Sequence, residues 1–466
     1  MSFTLHIAPE LATEILRRSL ARGGDLAEIF AESKHSLSMH LEDSKIENVV
    51  SGTDRGASIR VIRGLSTAFG YVESLEEESL FILADKLSCS QEGLPGEVST
   101  LEPTVARPRF WVRRDPALIG AERKAEFLQL IDNVSRSISP EVQQVKAAYV
   151  ENHQQIWVAN SDGITAVDDR TRVLITVTVM ARRGELIQTG HETLAHHGGF
   201  EIFTENSVIK LATNATEKAL TMLDSEPAPA GRMPVVLANG FGGVLFHEAC
   251  GHGLEADCIL KKTSVWEGKK GQRVASPEVF AYDDAVSVGM WGSSGCDDEG
   301  TPTQVKTVIE EGILTEYLSD RLRGTYLGLP LTGNGRREDF RHIPYPRMTN
   351  TYFGAGKVTA EDIVFDTPRA LYAKSLSGGE VNPATGDFVF GVAEGYLIEK
   401  GKIGPAVRGA TLIGNGPEAL LGIDAVANDL EVVAGMCGKE GQLVPVGSGQ
   451  PTIRIRELTV GGTSLS

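Results

Sequence analysis

Two histidines stand five positions apart in the segment His247-Glu248-Ala249-Cys250-Gly251-His252, and that interval restricts what the surrounding chain can form. In a regular α-helix five residues turn through about 500°, which leaves the two imidazoles roughly 140° apart around the axis. Side chains so directed cannot meet at one point. If the two rings share a task, the backbone must depart from the α-helix. A π-type turn, closed by an i→i+5 hydrogen bond, would bring them onto one face. Gly251 lowers the steric cost of irregular backbone. The reading is therefore a helix over FGGVLFHEACGHGLEAD with a widened turn at 247–252. The competing reading is a plain amphipathic core helix with two incidental histidines.

The residue types give the shared task a chemistry. Neutral imidazoles are good zinc ligands, and Glu248 beside the first can take a proton from metal-bound water. A catalytic zinc needs three protein ligands and one open position. Cys437 is the best third candidate. It sits between Gly435 and Gly438 in GMCGKEGQ, with Lys439 near enough to favour a thiolate. Glu255 and Asp257 compete, because they follow His252 directly, and residue type alone does not separate the three. Cys250, Cys258 and Cys296 read as packed thiols. His342 or Tyr345 could help to stabilise an oxyanion, although His342 reads more simply as structural.

Other chemistries fit less well. Gly240-Phe241-Gly242-Gly243 before a helix hints at a dinucleotide turn, but Leu245 stands where the third glycine belongs. No Gly-x-Ser-x-Gly elbow occurs. GNGRR at 333–337 lacks the Lys-Ser/Thr of a phosphate loop, so Arg336 and Arg337 bind either a carboxylate ligand or a neighbouring acidic loop. A non-catalytic scaffold stabilised by zinc is the rival function. Structural zinc is usually closed by four Cys or His ligands. No second cluster completes such a site, which favours an open, catalytic one.

The formal net charge of −17 repels phosphate backbones and argues against direct nucleic-acid binding. The short basic stretch GKKGQR reads as a solvated loop. No apolar run approaches the ~18 residues of a membrane span, and the first residues lack the pattern of a secretory signal. Five scattered cysteines do not form a disulfide framework, so a reducing cytoplasm is expected.

Periodicity predicts helices over 9–22, 76–88, 120–138 and 205–223. Between them LSMHLE, KIENVV, ASIRVIRG and STAFGYVE read as a meander of short strands, and 146–183 as strand, turn, strand. The order helix, strands, helix thus occurs twice. The expected class is α+β: an α/β N-terminal region of short antiparallel strands and helices, then a mainly β C-terminal domain carrying the metal-site helix. The expected boundaries are 1–225, with possible sub-parts 1–115 and 116–225, and 226–466.

The blocks LEDSKIENVVSGTDRGASIRVI, HEACGHGLEAD, TGNGRREDFRHIPYPRMTNTYF, SGGEVNPATGDFVF and GMCGKEGQLVPVGSGQPTI are distributed over almost the full length. In them the chain resembles the TldD/PmbA family of bacterial and archaeal metallopeptidases, on its TldD branch. That resemblance implies one zinc ion per chain on His247, His252 and Cys437, with Glu248 as catalytic base. It also implies cleavage of short or unfolded peptides that bind extended, adding a strand to a sheet edge. The implied partner is a zinc-less TldE/PmbA-like subunit in a heterodimer, or a second copy in a homodimer. Some members carry the label "modulator of DNA gyrase", to which the acidic charge here lends no support.

Overall fold

Long runs of alternating apolar and polar residues build one sheet in the first half of the chain. The computed structural model describes residues 5–103 and 111–463. Strand Leu26–Glu42 pairs on one side with Lys45–Arg63 and on the other with Val142–Asn160, both antiparallel. Ser66–Val72 extends the first side; Ile164–Arg183 and Leu186–His197 extend the second. The strands are longer than the sequence suggested. KIENVV and ASIRVIRG are one strand of 19 residues, because Ser51-Gly52-Thr53-Asp54, a turn by composition, stays in register with Leu37–Lys34 opposite. Continuous pairing satisfies the backbone there and overrides local preference.

Four amphipathic helices cover the sheet. Pro9–Ser19 and Glu77–Ser88 bury Ile15, Leu16, Leu80 and Ala84 against Ala27, Ile29, Ala31 and Ile59. Ala121–Ile138 and Glu205–Leu223 bury Phe127, Leu128, Val208 and Leu211 against Tyr149, Val173, Ile175 and Val177. The last helix starts on a capping box in which Thr204 and Ser207 satisfy each other's backbone amides. The order of helix, three strands, helix therefore occurs twice, and the two rounds meet where Leu26–Glu42 pairs with Val142–Asn160.

The second half is mainly β. A six-stranded sheet runs in the order Ile313–Leu314, Val305–Glu310, Ala281–Asp284, Asn350–Phe353, Gln442–Gln450, Glu431–Lys439. An eight-stranded sheet includes Arg369–Val381, Gly231–Leu237, Ile453–Gly461 and Asp387–Glu399. A large apolar core containing Phe246, Met348, Phe353, Phe388 and Phe390 lies among these elements and the short helices before residue 261. The whole is α+β.

Buried ion pairs join the N-terminal sheet to the segment 297–340. Arg60 Nη2 lies 2.8 Å from Glu28 Oε2 and 2.6 Å from Glu299 Oε1, and all three side chains are shut off from solvent. Arg337 Nη2 reaches the other oxygen of Glu28 at 2.6 Å. Arg170 bridges Asp168 (2.7 Å) and Asp298 (2.8 Å). Arg337 thus pairs with a carboxylate of the sheet, and its backbone amide donates to Asp298 Oδ2 in the acidic loop 297–299. Arg336 instead donates to the carbonyls of Met348 and Pro445. Removing one member of such a set leaves a buried charge uncompensated. Arg60→Leu is therefore expected to lower unfolding free energy in urea by about 3 kcal/mol or more; a change within about 0.5 kcal/mol, usual for a surface site, would show that the pairs are replaceable.

Candidate metal centre

The segment read as one helix is four short pieces: 3-10 turns at Gly240–Gly243 and Gly251–Leu254, and α-turns at Val244–Ala249 and Ala256–Leu260. No π-type turn forms. The amide of Cys250 donates to Phe246 O and that of Leu254 to Cys250 O, both i→i+4. Between them Cys250 leaves helical geometry, at φ −127° and ψ −52°. This break, in place of a widened turn, swings His252 back toward His247, and the two ring centroids lie 5.1 Å apart. Gly251 also has a different reason from the one expected. A Cβ there would sit 2.1 Å from Met348 Sδ, so the glycine admits a close neighbour.

Cys437 completes the group. One ligand atom from each of His247, His252 and Cys437 lies within 4.8 Å of the others. Cys437 Sγ is 3.4 Å from His252 Nε2. The cysteine stands on Glu431–Lys439, which pairs with Gln442–Gln450; that strand runs parallel to Asn350–Phe353, which packs beside the His247 helix. The fully buried Arg347 donates to the Cys437 carbonyl at 2.6 Å, fixing the strand at the cysteine itself. The rival carboxylates are engaged elsewhere: Lys439 Nζ lies 2.7 Å from Glu255 Oε2 and 2.6 Å from Asp257 Oδ1.

Glu248 is the outward member of the site. Its side chain is 29% exposed, and Oε2 lies 3.8 Å from His252 Nε2. His342 pairs with Asp339 at 2.8 Å, and the Tyr345 ring lies under the Arg323 guanidinium. Cys250 and Cys296 are buried thiols whose ionisation burial suppresses, and Cys258 is shifted the same way.

Burial also opposes ionisation of Cys437, but hydrogen bonds and charge from His247 and His252 outweigh it and bring the thiol down to about 4. The two imidazoles, rather than Lys439, favour the thiolate. Burial works against protonation of His252, while Glu255 and Cys437 hold its proton affinity well above the usual imidazole value. Glu255, which burial alone would raise, is drawn to about 2 by Lys439 and His252.

Two imidazole nitrogens and one thiolate sulfur form a donor set suited to zinc. The ring nitrogens turned away from the cluster have partners, as metal-binding histidines do. His247 Nδ1 lies 3.2 Å from Thr351 Oγ1, and His252 Nδ1 lies 2.9 Å from Glu255 Oε2. The residues present therefore fit the ion. Sequence reasoning missed Thr351, Arg347 and Met348, which carry no spacing signal. Glu255 could have been found as a partner of His252, since it follows at i+3.

Comparison with known proteins gives the family. Family models match residues 230–462 (PmbA/TldA metallopeptidase C-terminal domain), 114–223 (central domain) and 27–88 (domain 1). A Haemophilus influenzae protein named metalloprotease TldD homolog is 37% identical over 453 residues, covering 95% of this chain and 94% of its own length. A Saccharolobus solfataricus protein named zinc metalloprotease TldD homolog is 28% identical over 431 residues, covering 90% of this chain and 93% of its own. TldE from Thermococcus kodakarensis has the same fold, with a TM-score of 0.78 at 20% identity over 97% of this chain and all of its own. These matches make the chain a metallopeptidase. It belongs to the PmbA/TldD family.

In the metal-free chain, thiolate ultraviolet absorbance from Cys437 is expected to persist down to about pH 5 and to vanish below about pH 4. Cys437→Ser should abolish it. Titration near the ordinary thiol value of about 8.5 would contradict the arrangement.

Proposed function

We propose that this chain is a zinc metallopeptidase of the TldD branch that hydrolyses short or unfolded peptides bound in extended form. One zinc ion per chain is held by His247, His252 and Cys437. The observation that carries the reading is the convergence of these three side chains within 4.8 Å, with the half-exposed Glu248 carboxylate beside them. When bound, zinc supplies a Lewis acid that polarises a carbonyl and eases deprotonation of water.

The chain's own residues do the remainder. Glu248 takes a proton from the attacking water and later delivers it to the leaving amine. Thr351 and Glu255 hold the two imidazoles in orientation through Nδ1. Among the described residues strand Glu431–Lys439 is the last strand of its sheet, an edge on which a peptide could pair alongside Cys437. Recognition through backbone hydrogen bonds accounts for weak side-chain selectivity. Three protein donors with Glu248 outside the set favour catalysis over a closed structural site.

The same reading assigns residues 1–225 to an N-terminal unit and 226–466 to the metallopeptidase unit. It places the protein in the cytoplasm, in keeping with five free cysteines and the absence, among the described residues, of a helix able to cross a membrane. It pairs the chain with a second copy or a zinc-less TldE/PmbA-like subunit, and the shared fold of TldE makes a pseudo-symmetric dimer geometrically simple. Nucleic acid is not a partner, given the net charge of −17.

Glu248→Gln should retain stoichiometric zinc and lose about 10²–10⁴-fold in peptide hydrolysis; a near-normal rate would sink the base assignment. Cys437→Ser should lower zinc content sharply. Anomalous scattering at the zinc edge, with no peak touching His247, His252 and Cys437, would reject the metal reading.

A further inference from the structure

One short segment reaches all three clustered residues. Thr351 Oγ1 meets His247 Nδ1 at 3.2 Å. Arg347 meets the Cys437 carbonyl at 2.6 Å. The Met348 amide donates to Glu255 Oε1 at 3.2 Å, and Glu255 Oε2 lies 2.9 Å from His252 Nδ1. Lys439 closes the circuit, 2.7 Å from Glu255 Oε2 and 3.3 Å from the Pro346 carbonyl.

Glu255 is the member that touches both sides of the site. Its carboxylate has no solvent exposure, so its partners must satisfy it within the protein. An imidazole that donates through Nδ1 to a carboxylate keeps its lone pair on Nε2. His252 Nε2 is the atom that faces Cys437 Sγ. Lys439 lies two residues beyond Cys437 on the same strand, so both side chains project from one face. The Glu255–Lys439 pair therefore ties the turn bearing His252 to the strand bearing Cys437. Asp257 also pairs with Lys439 but, among the described residues, has no imidazole partner.

We propose that Glu255 is the positioning residue of the centre: it sets the tautomer and direction of His252 and, through Lys439, the spacing between His252 and Cys437, a role that rests on zinc being held there. Arg347 and Thr351 fix the other two residues from the same segment, so the three donors share one template.

The test measures the zinc dissociation constant of the full chain by competition with a chromophoric chelator, and the visible absorption of the cobalt-loaded chain. Glu255→Gln keeps the side chain's shape and removes its charge. It should weaken zinc about 10–100-fold and shift the cobalt bands. Asp257→Asn removes the other charge on Lys439 and should move both readings far less. If Glu255→Gln fails to fold, Glu255→Asp serves, because it keeps the charge for Lys439 but draws back from Nδ1; it should weaken zinc in the same direction. An unchanged constant in the Glu255 variant, or an equal loss in Asp257→Asn, would overturn the positioning role while zinc uptake by the unaltered chain stands. No zinc uptake by the unaltered chain would overturn the metal reading and this role with it.

Discussion

The ammonium of Lys439, held between the buried carboxylates of Glu255 and Asp257, is the contact on which the site's geometry turns. It joins a turn near residue 252 to a strand near residue 437, and among the described residues no backbone pairing does so directly. Buried ion pairs often add little net stability, since desolvation offsets attraction. Their value is directional. A hydrophobic pair in the same place would tolerate slippage, whereas the Glu255 carboxylate on the Lys439 ammonium sets the strand against the turn. Arg347 on the Cys437 carbonyl works to the same end from the opposite side.

The broken helix carries the other half of the geometry. A regular helix would hold His247 and His252 apart, and the break at Cys250 removes that obstacle. Met348 then presses against Gly251, and its amide supports Glu255. The same side-chain neighbourhood thus fixes the backbone path, the imidazole orientation and the position of the edge strand. Further away, the pairs of Arg60, Arg170 and Arg337 anchor the segment 297–340 on the N-terminal sheet.

Much of this was legible in the sequence, for reasons that differ by element. Helix Glu205–Leu223 declared itself through its apolar period, while its Thr204 cap emerged only in the structure. The histidine interval showed that regular helix and shared task are incompatible, but not how the conflict resolves. A π-turn and a break are both local solutions, and the choice falls to Met348, about a hundred residues away in the chain and so invisible to spacing. Strand length was misjudged at Ser51–Asp54 because turn-forming residues can be held extended by a partner strand. Cys437 stood out by its glycine neighbours, while the pairing of Glu255 and Asp257 with Lys439 carried no signal in the sequence. The carboxylate partner of Arg337 was likewise out of reach of local reading, because Glu28 lies far earlier in the chain, on a strand.

Cys437 comes 185 residues after His252. During synthesis the chain emerges from its N-terminal side, and domains fold as they emerge. The nascent protein therefore displays both histidines and Glu248 well before it possesses a sulfur to set against them. Strand Asn350–Phe353 must also wait for Gln442–Gln450, which brings that sulfur into place. On the proposed ligand set, a hydrolase built in this order has no complete centre while its own unfolded segments are still beside it. With that ligand set, chain order itself would serve as a safety catch.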